Sequence, residues 1–410
     1  MTKIAAPGDS EPNPTLEIIY HDASQPWQVE LKQKVDSTNS IKISHFYDGL
    51  GREIQTQQVG KYVGDSQFTI VSDVSYDSIG RQSKQSVPYT ITYNASPIFQ
   101  TQNFSQHPYS ESTYDIFGRL SISTAPNGNQ TSYAYGDDSV TVTDPNDNDT
   151  TSWMDAWGRT IKVQAPESSA VLYTYDTQDR LVELQEGETN GYLTEILYNY
   201  AGQKTSLTTP DMGTWGYEYD PSGNLSTQTD ARGCEIDMLY DSLNRLTEKS
   251  YTGPDACAQT ATVNYYYDSY LNFPQYSVVS SYPVGQRTGM TDDSGQTIWE
   301  YNNRGLTSLE TKTIANQTFS TAWTHNSADQ VVTITYPDGE VITNEYDPGG
   351  DLDVVRNNQN FEYLSYLNYD EASRLTELNF NSSMLQRFEY DTWTTSVTGG
   401  MLSSIEATNI

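Results

Sequence analysis

The sequence predicts an all-β protein, a long antiparallel β-meander assembled from short repeated units. Three observations support this fold class: a Tyr-Asp-x-x-Gly-Arg-Leu pattern that recurs down the chain, a frequent spacing of 21 residues between its copies, and an abundance of tyrosine. The pattern is complete at Tyr114–Leu120, and the copies that begin at Tyr198, Tyr219 and Tyr240 are 21 residues apart. Recurrence of so short a unit is typical of repeat proteins. It also makes any single copy a poor candidate for an active site.

Six copies retain the pattern most clearly, and two looser copies, at Tyr219 and Tyr346, add further motif residues, although not every copy keeps its glycine or arginine. Their motif residues are Tyr47, Asp48, Gly51, Arg52, Tyr76, Asp77, Gly80, Arg81, Tyr114, Asp115, Gly118, Arg119, Tyr175, Asp176, Arg180, Tyr219, Asp220, Gly223, Tyr240, Asp241, Arg245, Tyr346, Asp347, Gly350, Tyr369, Asp370 and Arg374. Other looser copies begin at Met154, Tyr198, Tyr301 and His325. We expect all of these residues to serve as a structural repeat motif.

One well-formed unit shows the physical logic of the repeat. Asp220–Gly223 has the residues of a type I turn followed by a left-handed glycine, which is a common closure of a β-hairpin. Leu225–Thr229 then reads as a short strand, and Asp230–Gly233 repeats the turn ten residues after the first. Cys234–Tyr240 returns as a second strand with alternating apolar residues. Each repeat is therefore predicted to contain two antiparallel strands and two turns.

The tyrosine and arginine of each copy are predicted to line up between neighbouring repeats. Aromatic pairs across adjacent strands contribute about 0.2–1 kcal/mol each. The arginine follows the turn and can pair with the aspartate or stack on a tyrosine ring. We interpret the arginines as a structural ladder.

The repeat occupies almost the whole chain. Residues 1–15 read as a flexible N-terminal lead, and residues 16–410 as one repeat β-shell. Prolines mark residues 94–110 and 270–290 as the strongest candidates for loops. No stretch of useful length has hydrophobic residues at the spacing of a helix. The pattern is still present at Tyr390, which favours the interpretation that this chain is a segment of a longer array.

The composition restricts the partners of the protein. The chain has 54 acidic and 22 basic residues, a formal net charge of −32. Such a surface repels nucleic-acid phosphates and anionic lipids, so no nucleic-acid partner is expected. No apolar run approaches the ~20 residues of a membrane helix, so no membrane insertion is expected. An extracellular protein, a calcium binder and a salt-adapted protein all share this acidity.

The two cysteines, Cys234 and Cys257, are 23 residues apart, close to one repeat length. Neighbouring repeats could bring them together in a disulfide, and two free thiols beside turns are the alternative. Their number does not decide the cellular compartment.

On these repeated residues, from about residue 41 to 395, the chain resembles the YD-repeat or Rhs-repeat family. Members include bacterial Rhs polymorphic toxins, the B and C components of insecticidal toxin complexes, and the animal teneurins. The resemblance implies a sheet that spirals into a barrel-like hollow shell, which in the bacterial toxins encloses a toxic domain. Independently, open sheets of more than about ten strands tend to twist, curl or close. Nothing after Tyr390 matches the self-cleavage site or the toxin of that family, so neither activity is carried over.

The sequence contains no catalytic signature. It lacks the patterns of a zinc protease, a phosphate-binding loop, a nucleophile elbow and a CxxC pair. Its four histidines, His21, His45, His107 and His325, are scattered along the chain. We therefore predict no catalytic residue, no cofactor and no metal, and we expect that the protein is not an enzyme.

One acidic stretch deserves a separate interpretation. Asp144–Asp149 has oxygen-bearing side chains at alternating positions, and Asp155 falls at the twelfth place of an EF-hand-like loop. Asp149 replaces the glycine that such a loop requires, and no flanking helices are predicted. We interpret the stretch as a solvated turn, with calcium binding as the alternative.

Two functions fit these observations best. The first is a non-catalytic shell or scaffold segment of a large secreted or surface-exposed Rhs-type protein, with the remaining segments of that protein or an enclosed polypeptide cargo as partners. The second is a cell-surface adhesion module that binds carbohydrate or protein through exposed tyrosines and tryptophans. Candidate tryptophans for this binding are Trp153, Trp157, Trp215, Trp299, Trp323 and Trp393. An enzyme that degrades polysaccharide, a third hypothesis, requires two close carboxylates in a groove.

Overall fold

The computed structural model of the chain describes residues 2–6, 9–10, 14–61, 67–187, 191–254, 257, 260–278, 281–370, 372, 374–381, 383–393 and 399–409. These residues form thirty-four β-strands, and the described part of the chain contains no helix. No described helix therefore has the length and apolarity needed to cross a membrane. The predicted all-β antiparallel meander is confirmed.

The strands are short and follow one another closely. In chain order they are β1 (Thr2–Ile4), β2 (Leu16–His21), β3 (Trp27–Lys34), β4 (Ser40–Tyr47), β5 (Glu53–Lys61), β6 (Gln67–Tyr76), β7 (Gln82–Ser86), β8 (Tyr89–Thr92), β9 (Tyr109–Tyr114), β10 (Leu120–Thr124), β11 (Gln130–Tyr135), β12 (Ser139–Thr143), β13 (Asp149–Met154), β14 (Thr160–Gln164), β15 (Val171–Tyr175), β16 (Leu181–Glu186), β17 (Tyr192–Tyr198), β18 (Lys204–Thr209), β19 (Gly213–Tyr219), β20 (Leu225–Thr229), β21 (Glu235–Tyr240), β22 (Leu246–Thr252), β23 (Val263–Tyr267), β24 (Arg287–Asp292), β25 (Gly295–Tyr301), β26 (Thr307–Ile314), β27 (Gln317–His325), β28 (Val331–Thr335), β29 (Val341–Tyr346), β30 (Leu352–Asn357), β31 (Glu362–Tyr369), β32 (Leu375–Phe380), β33 (Met384–Tyr390) and β34 (Leu402–Asn409).

The chain divides into two compact units. Unit 1 comprises residues 1–130, 301–309 and 320–410, and unit 2 comprises residues 131–300 and 310–319. In unit 2, each strand from β11 to β25 pairs antiparallel with the next. Unit 1 contains two further antiparallel runs, one from β1 to β10 and one from β27 to β34, except that residues 317–319 of β27 belong to unit 2. Within the first run, β6 pairs with both β7 and β8, and β7 pairs with β9.

The two runs of unit 1 come into contact because its sheet curls back on itself. The backbone N–H of Ser327 donates to the carbonyl of Val35 over 2.9 Å, and the side-chain amide of Gln58 donates to the carbonyl of Gly349 over 3.4 Å. Ser327 and Ala328 lie at the tip of one contacting turn, and Gly349 lies at the tip of the other. Both turns therefore carry small residues at the point of contact. Small tips let the turns approach the backbone of the opposing strands.

The N-terminal residues also contact the first strands of unit 1. Strand β1 pairs with β2 over three residues, and Asp9 forms an ion pair with Lys34 and accepts a hydrogen bond from Thr15. These contacts lie within the stretch predicted as a lead. The boundary between residues 15 and 16 does not coincide with the division into two units and stays a prediction.

Most strands are partly exposed on both faces. In β10, β12, β20 and β28, for example, every side chain is half-buried. Fully buried side chains are instead concentrated in two places where a long loop covers the sheet. The described residues of these loops, 93–108 and 268–286 without 279–280, contain no strand, and the loops coincide closely with those predicted from proline.

In unit 1, the loop of residues 93–108 covers β4, β5 and β6. Phe46, Gln55 and Asp73 are cross-strand neighbours on the covered face and are all buried. The side-chain amide of Gln55 donates to Asp73 over 2.7 Å and to the loop carbonyl of Gln100 over 3.0 Å. Gln57 donates to the loop carbonyl of Ile98 over 2.8 Å. Glutamine side chains thus replace the backbone partner that a strand would have supplied.

In unit 2, the loop of residues 268–286 covers β24, β25 and β26. The ring of Phe273 lies over Gly289, where a Cβ atom would meet it at 2.3 Å. Ile298, the cross-strand neighbour of Gly289, is fully buried. The buried carboxylate of Glu300 accepts a 3.0 Å hydrogen bond from the loop residue Tyr276, and burial raises the pKa of Tyr276 to about 12.

Candidate functional site

The repeated sequence motif forms one recurring structure, the repeat turn, which runs from the aspartate slot to the arginine slot. In Asp241–Arg245, the N–H of Asp241 donates to the carbonyl of Arg245, and the N–H of Asn244 donates to the carbonyl of Asp241, each over 3.0 Å. The register of the flanking strands shifts between Leu239 and Tyr240. The repeat turn is therefore a hairpin closure joined to a β-bulge.

The fourth position of the repeat turn requires a left-handed backbone. Its φ values lie between 60° and 94° at Gly51, Gly80, Gly118, Gly158, Asp179, Gly202, Gly223, Asn244, Gly305, Asp329 and Gly350. Glycine adopts this conformation without strain, and asparagine and aspartate tolerate it better than other residues. This requirement explains which residue types replace glycine in the copies that lack it, whether clear or loose.

The aspartate carboxylate holds the turn closed. One oxygen of Asp176 accepts the N–H groups of Gln178 and Arg180 over 2.8 and 3.1 Å, and the other accepts Nε of Arg180 over 2.7 Å. The side-chain hydrogen bond from Arg180, with the two backbone N–H groups, holds the pKa of Asp176 below its usual value. The same aspartate–arginine pair forms in Asp48–Arg52, Asp77–Arg81, Asp115–Arg119, Asp155–Arg159, Asp241–Arg245 and Asp370–Arg374.

The arginine also reaches the next repeat. Its guanidinium carbon lies 4.1–4.8 Å from the ring centre of the following motif tyrosine. These cation–π pairs are Arg52–Tyr76, Arg81–Tyr114, Arg159–Tyr175, Arg180–Tyr198, Arg245–Tyr267 and Arg374–Tyr390. The sequence left open whether the arginine pairs with aspartate or stacks on tyrosine. In these turns it does both.

The motif tyrosine completes the link through its hydroxyl. In ten copies the hydroxyl donates a 2.7–3.0 Å hydrogen bond to the carbonyl that follows the arginine slot of the preceding repeat. The donors are Tyr76, Tyr114, Tyr175, Tyr198, Tyr219, Tyr240, Tyr267, Tyr346, Tyr369 and Tyr390. Sequence reasoning missed this bond, because it identified tyrosine through its ring and gave no role to the hydroxyl.

Several repeat turns replace the aspartate–arginine pair. Amide pairs take its place in Asn199–Gln203 and Asn326–Gln330, each over 2.8 Å. In the Asn302–Leu306 turn, Arg304 instead reaches the next turn and pairs with Asp329 over 2.8 Å. The Asp347–Asp351 turn is different, because aspartate occupies the arginine slot.

The acidic stretch 144–149 is a turn of the same kind. One oxygen of Asp144 accepts the N–H groups of Asn146 and Asn148 over 2.8 and 2.9 Å, and the other accepts the side-chain amide of Asn148 over 2.9 Å. These hydrogen bonds, with that from the Asn148 side chain first, lower the pKa of Asp144. Among the described residues, no group of three or more His, Cys, Asp or Glu side chains is arranged to hold a metal ion.

The question about the two cysteines is answered by a disulfide between Cys234 and Cys257. The bond closes a loop of unit 2, and Cys257 is buried. It joins the residue after the Asp230–Gly233 turn to the segment that follows β22.

The candidate tryptophans differ in their surroundings. Trp157 is 78 % exposed at the tip of its repeat turn. By contrast, the indole N–H of Trp299 donates to Glu310 over 2.8 Å, and Trp393 packs under Arg374 at 4.8 Å. Phe117 and Tyr200 are exposed at the tips of two other repeat turns. Turn tips therefore present the three most exposed aromatic side chains of the described residues.

Comparison with known proteins supports the fold and gives one family match, which covers only part of the chain. A family model described as a domain of unknown function, DUF6443, matches residues 21–137. No curated protein matches the sequence.

Solved structures of toxin complexes resemble the chain over nearly its full length. The crystal structure of TcdB2-TccC3 matches with a TM-score of 0.80 and 16 % identity, over 96 % of this chain and 23 % of that one. TcdB2-TccC3 without its hypervariable C-terminal region matches with a TM-score of 0.77 and 16 % identity, over 93 % and 21 %. The Photorhabdus luminescens Tc holotoxin pore matches with a TM-score of 0.77 and 16 % identity, over 95 % and 22 %. The chain shares their fold and spans about a fifth to a quarter of their length.

Proposed function

We propose that this protein is a non-catalytic structural segment of a large secreted or surface-exposed YD/Rhs-repeat protein, part of a wall that encloses a polypeptide cargo. The observation that carries the proposal is the use of the motif side chains. In a typical copy, aspartate closes its own turn, arginine binds that aspartate and the next tyrosine, and tyrosine bonds to the preceding repeat. The polar groups of the motif thus connect repeats to one another.

The similarity to TcdB2-TccC3 supports the same proposal at the level of fold. Those chains are about four to five times longer than the matched segment. The expected partners are therefore the remaining segments of a parent protein or an enclosed polypeptide. The net charge of −32 argues against a nucleic-acid partner.

Electron-microscopic projection images of the purified 410-residue chain test the shell proposal. A hollow or barrel-like particle is expected, and a solid two-layer sandwich would contradict it. The absence of catalysis is tested separately by measuring reducing-sugar release from a panel of common polysaccharides. Sustained release that co-purifies with the chain would contradict the non-catalytic assignment.

The exposed aromatic turn tips favour adhesion to surface carbohydrate or protein as a second candidate function. Aromatic rings at an accessible edge can stack on sugar rings or anchor a protein interface. A glycan array tests whether the protein binds carbohydrate. Trp157→Ala and Tyr200→Ala remove aromatic rings at the turn tips, and Trp299→Ala is a control away from the tips. Binding that the two tip variants reduce would support adhesion. No binding, or equal loss in the control, would contradict it.

A further inference from the structure

The repeat turn of unit 1 at Asp347–Asp351 carries two carboxylates where seven other turns carry a carboxylate and a guanidinium. Its backbone closes normally: the N–H of Asp347 donates to the carbonyl of Asp351 over 2.8 Å, and the N–H of Asp351 donates to a carboxylate oxygen of Asp347 over 2.8 Å. Tyr369 still donates to the carbonyl of Leu352. Its ring is stacked with Tyr366, at 6.4 Å between ring centres, and no arginine extends from the slot beneath it.

This turn is also a point of contact between the two runs of unit 1. A Cβ atom on Gly349 would lie 2.8 Å from the carbonyl oxygen of Val59 in β5, and one on Gly350 would lie 2.7 Å from the side chain of Ile41 in β4. Gln58 donates to the carbonyl of Gly349, as described above. The two carboxylates therefore belong to a turn that is pressed against β4 and β5.

The charged surroundings of the pair are mostly acidic. Burial raises the pKa of Asp347, the charge of Asp353 raises it further, and hydrogen bonds from the turn N–H groups oppose this rise. Burial also raises the pKa of Asp351, and the neighbouring charge of Asp347 adds to it. In the ordinary turn at Asp176, the pKa is lowered instead.

Other titratable groups face the pair from the adjoining strands. Tyr346 on β29 and Tyr369 on β31 both have pKa values raised by burial. A cavity of about 690 Å³ adjoins Asp347, and its lining includes charged side chains from the opposing run and from β29. These are Asp36, Lys42 and Glu345.

We propose that the Asp347–Asp351 turn is an acid-strengthened latch, which binds β4 and β5 more tightly when one of its two carboxylates takes up a proton. At neutral pH the two negative charges repel each other beside a half-buried contact, which weakens the docking of the turn. In mild acid, a proton removes one charge and lets the carboxyl donate a hydrogen bond.

The sign of the effect follows from linkage. A carboxyl with a raised pKa binds its proton more tightly in the docked turn than in the released turn, so docking gains stability as the pH falls through that pKa. An aspartate–arginine turn has the opposite dependence, because its lowered pKa makes acid remove the ion pair. The latch should therefore tighten under conditions that weaken the ordinary turns.

Hydrogen–deuterium exchange of the purified full chain tests the latch. Protection factors, corrected for the intrinsic effect of pH, are measured for residues 345–353 and 55–60 at about pH 5 and about pH 7.5. Since one pKa unit corresponds to a tenfold change in an equilibrium constant, we expect protection of both segments to be about three- to tenfold higher at the lower pH. Equal protection at the two pH values, or lower protection in acid, would overturn the proposal.

Two variants of Asp351 identify the group responsible. Asp351→Asn keeps the shape of the side chain without its charge and should give high protection at both pH values. Asp351→Arg should restore a pair with Asp347 and reverse the dependence, with protection falling in acid. The matched control is Asp176→Asn in unit 2, which should leave exchange at 345–353 unchanged. If the Asn variant keeps the pH dependence of the original chain, Asp351 is not the switch; this variant decides the question even if Asp351→Arg does not fold.

Discussion

The loop-covered patches and the uncovered repeat strands share an antiparallel backbone but are stabilised by different interactions. Under the loops, side chains such as Ile298, Val71 and Phe46 are removed from water, and the hydrophobic effect acts in full. In the uncovered strands, most side chains remain half-exposed, and hydrogen bonds, ion pairs and cation–π contacts join one repeat to the next. The difference shows that two kinds of interaction stabilise this sheet. Polar contacts between repeats act along the uncovered strands, and hydrophobic burial acts in the two patches under the loops.

The largest effect is expected from truncating a core side chain under a loop. Ile298→Ala should lower the free energy of unfolding by about 2–5 kcal/mol, because it leaves a cavity in a fully buried site. Ile161→Ala, in the uncovered strand β14, should cost about 0.5 kcal/mol or less, since its side chain is exposed. Urea unfolding of both variants makes the measurement. Similar losses in the free energy of unfolding for the two variants would contradict the distinction between loop-covered patches and uncovered strands.

A smaller effect is expected from crowding the same patch. Gly289→Ala places a methyl group against the ring of Phe273, and such overpacking costs about 1–3 kcal/mol. The control is Gly216→Ala in the uncovered strand β19, where the new Cβ atom would make an ordinary 3.8 Å contact with Thr229. The control should be neutral or slightly stabilising in thermal unfolding. A destabilised control with a neutral Gly289 variant would contradict the assignment of the patch.

Removal of one inter-repeat hydrogen bond should have a more modest cost. Tyr198→Phe deletes the hydroxyl that donates to the carbonyl of Leu181 over 3.0 Å and keeps the ring under Arg180. A loss of about 0.5–1.5 kcal/mol is expected in urea unfolding. Tyr200→Phe, two residues away at an exposed turn tip, should change almost nothing. Equal effects would show that the hydroxyl has no role as a link.

The smallest effect is expected from removing the carboxylate charge of a single repeat turn. Asp176→Asn should lower the melting temperature at pH 7, because the ionised carboxylate binds Arg180 and two backbone N–H groups. The pKa of Asp176 is lowered, so its contribution is present above the ordinary aspartate pKa of about 4 and is lost as the pH falls through the folded value. The difference from the original chain should therefore shrink in acid. Asp211→Asn, at an exposed aspartate in another turn, should change the melting temperature at pH 7 very little.

The sequence predicted the repeat well because its determinants are local. Aspartate at the start of a turn and glycine at its fourth position specify the hairpin closure within five residues, as in Asp220–Asn224. Prolines likewise indicated both long loops. The Tyr198–Leu181 bond and the contact of Gln57 with the loop carbonyl of Ile98 were not predictable, since their partners are 17 and 41 residues apart and are brought together by the fold. Nor did the alternation pattern predict that Glu300, a charged residue, would be buried.

The direction of the tyrosine bond has a consequence for how such a chain can change its length. Each of the ten tyrosine donors described above points to the repeat before it, and the preceding repeat turn offers the same backbone carbonyl each time. A duplicated unit of about 21 residues would bring both halves of this connection with it, and a deleted unit would remove both. Lengthening or shortening by whole units would then preserve the local chemistry at each new junction, whereas a change of one or two residues would not.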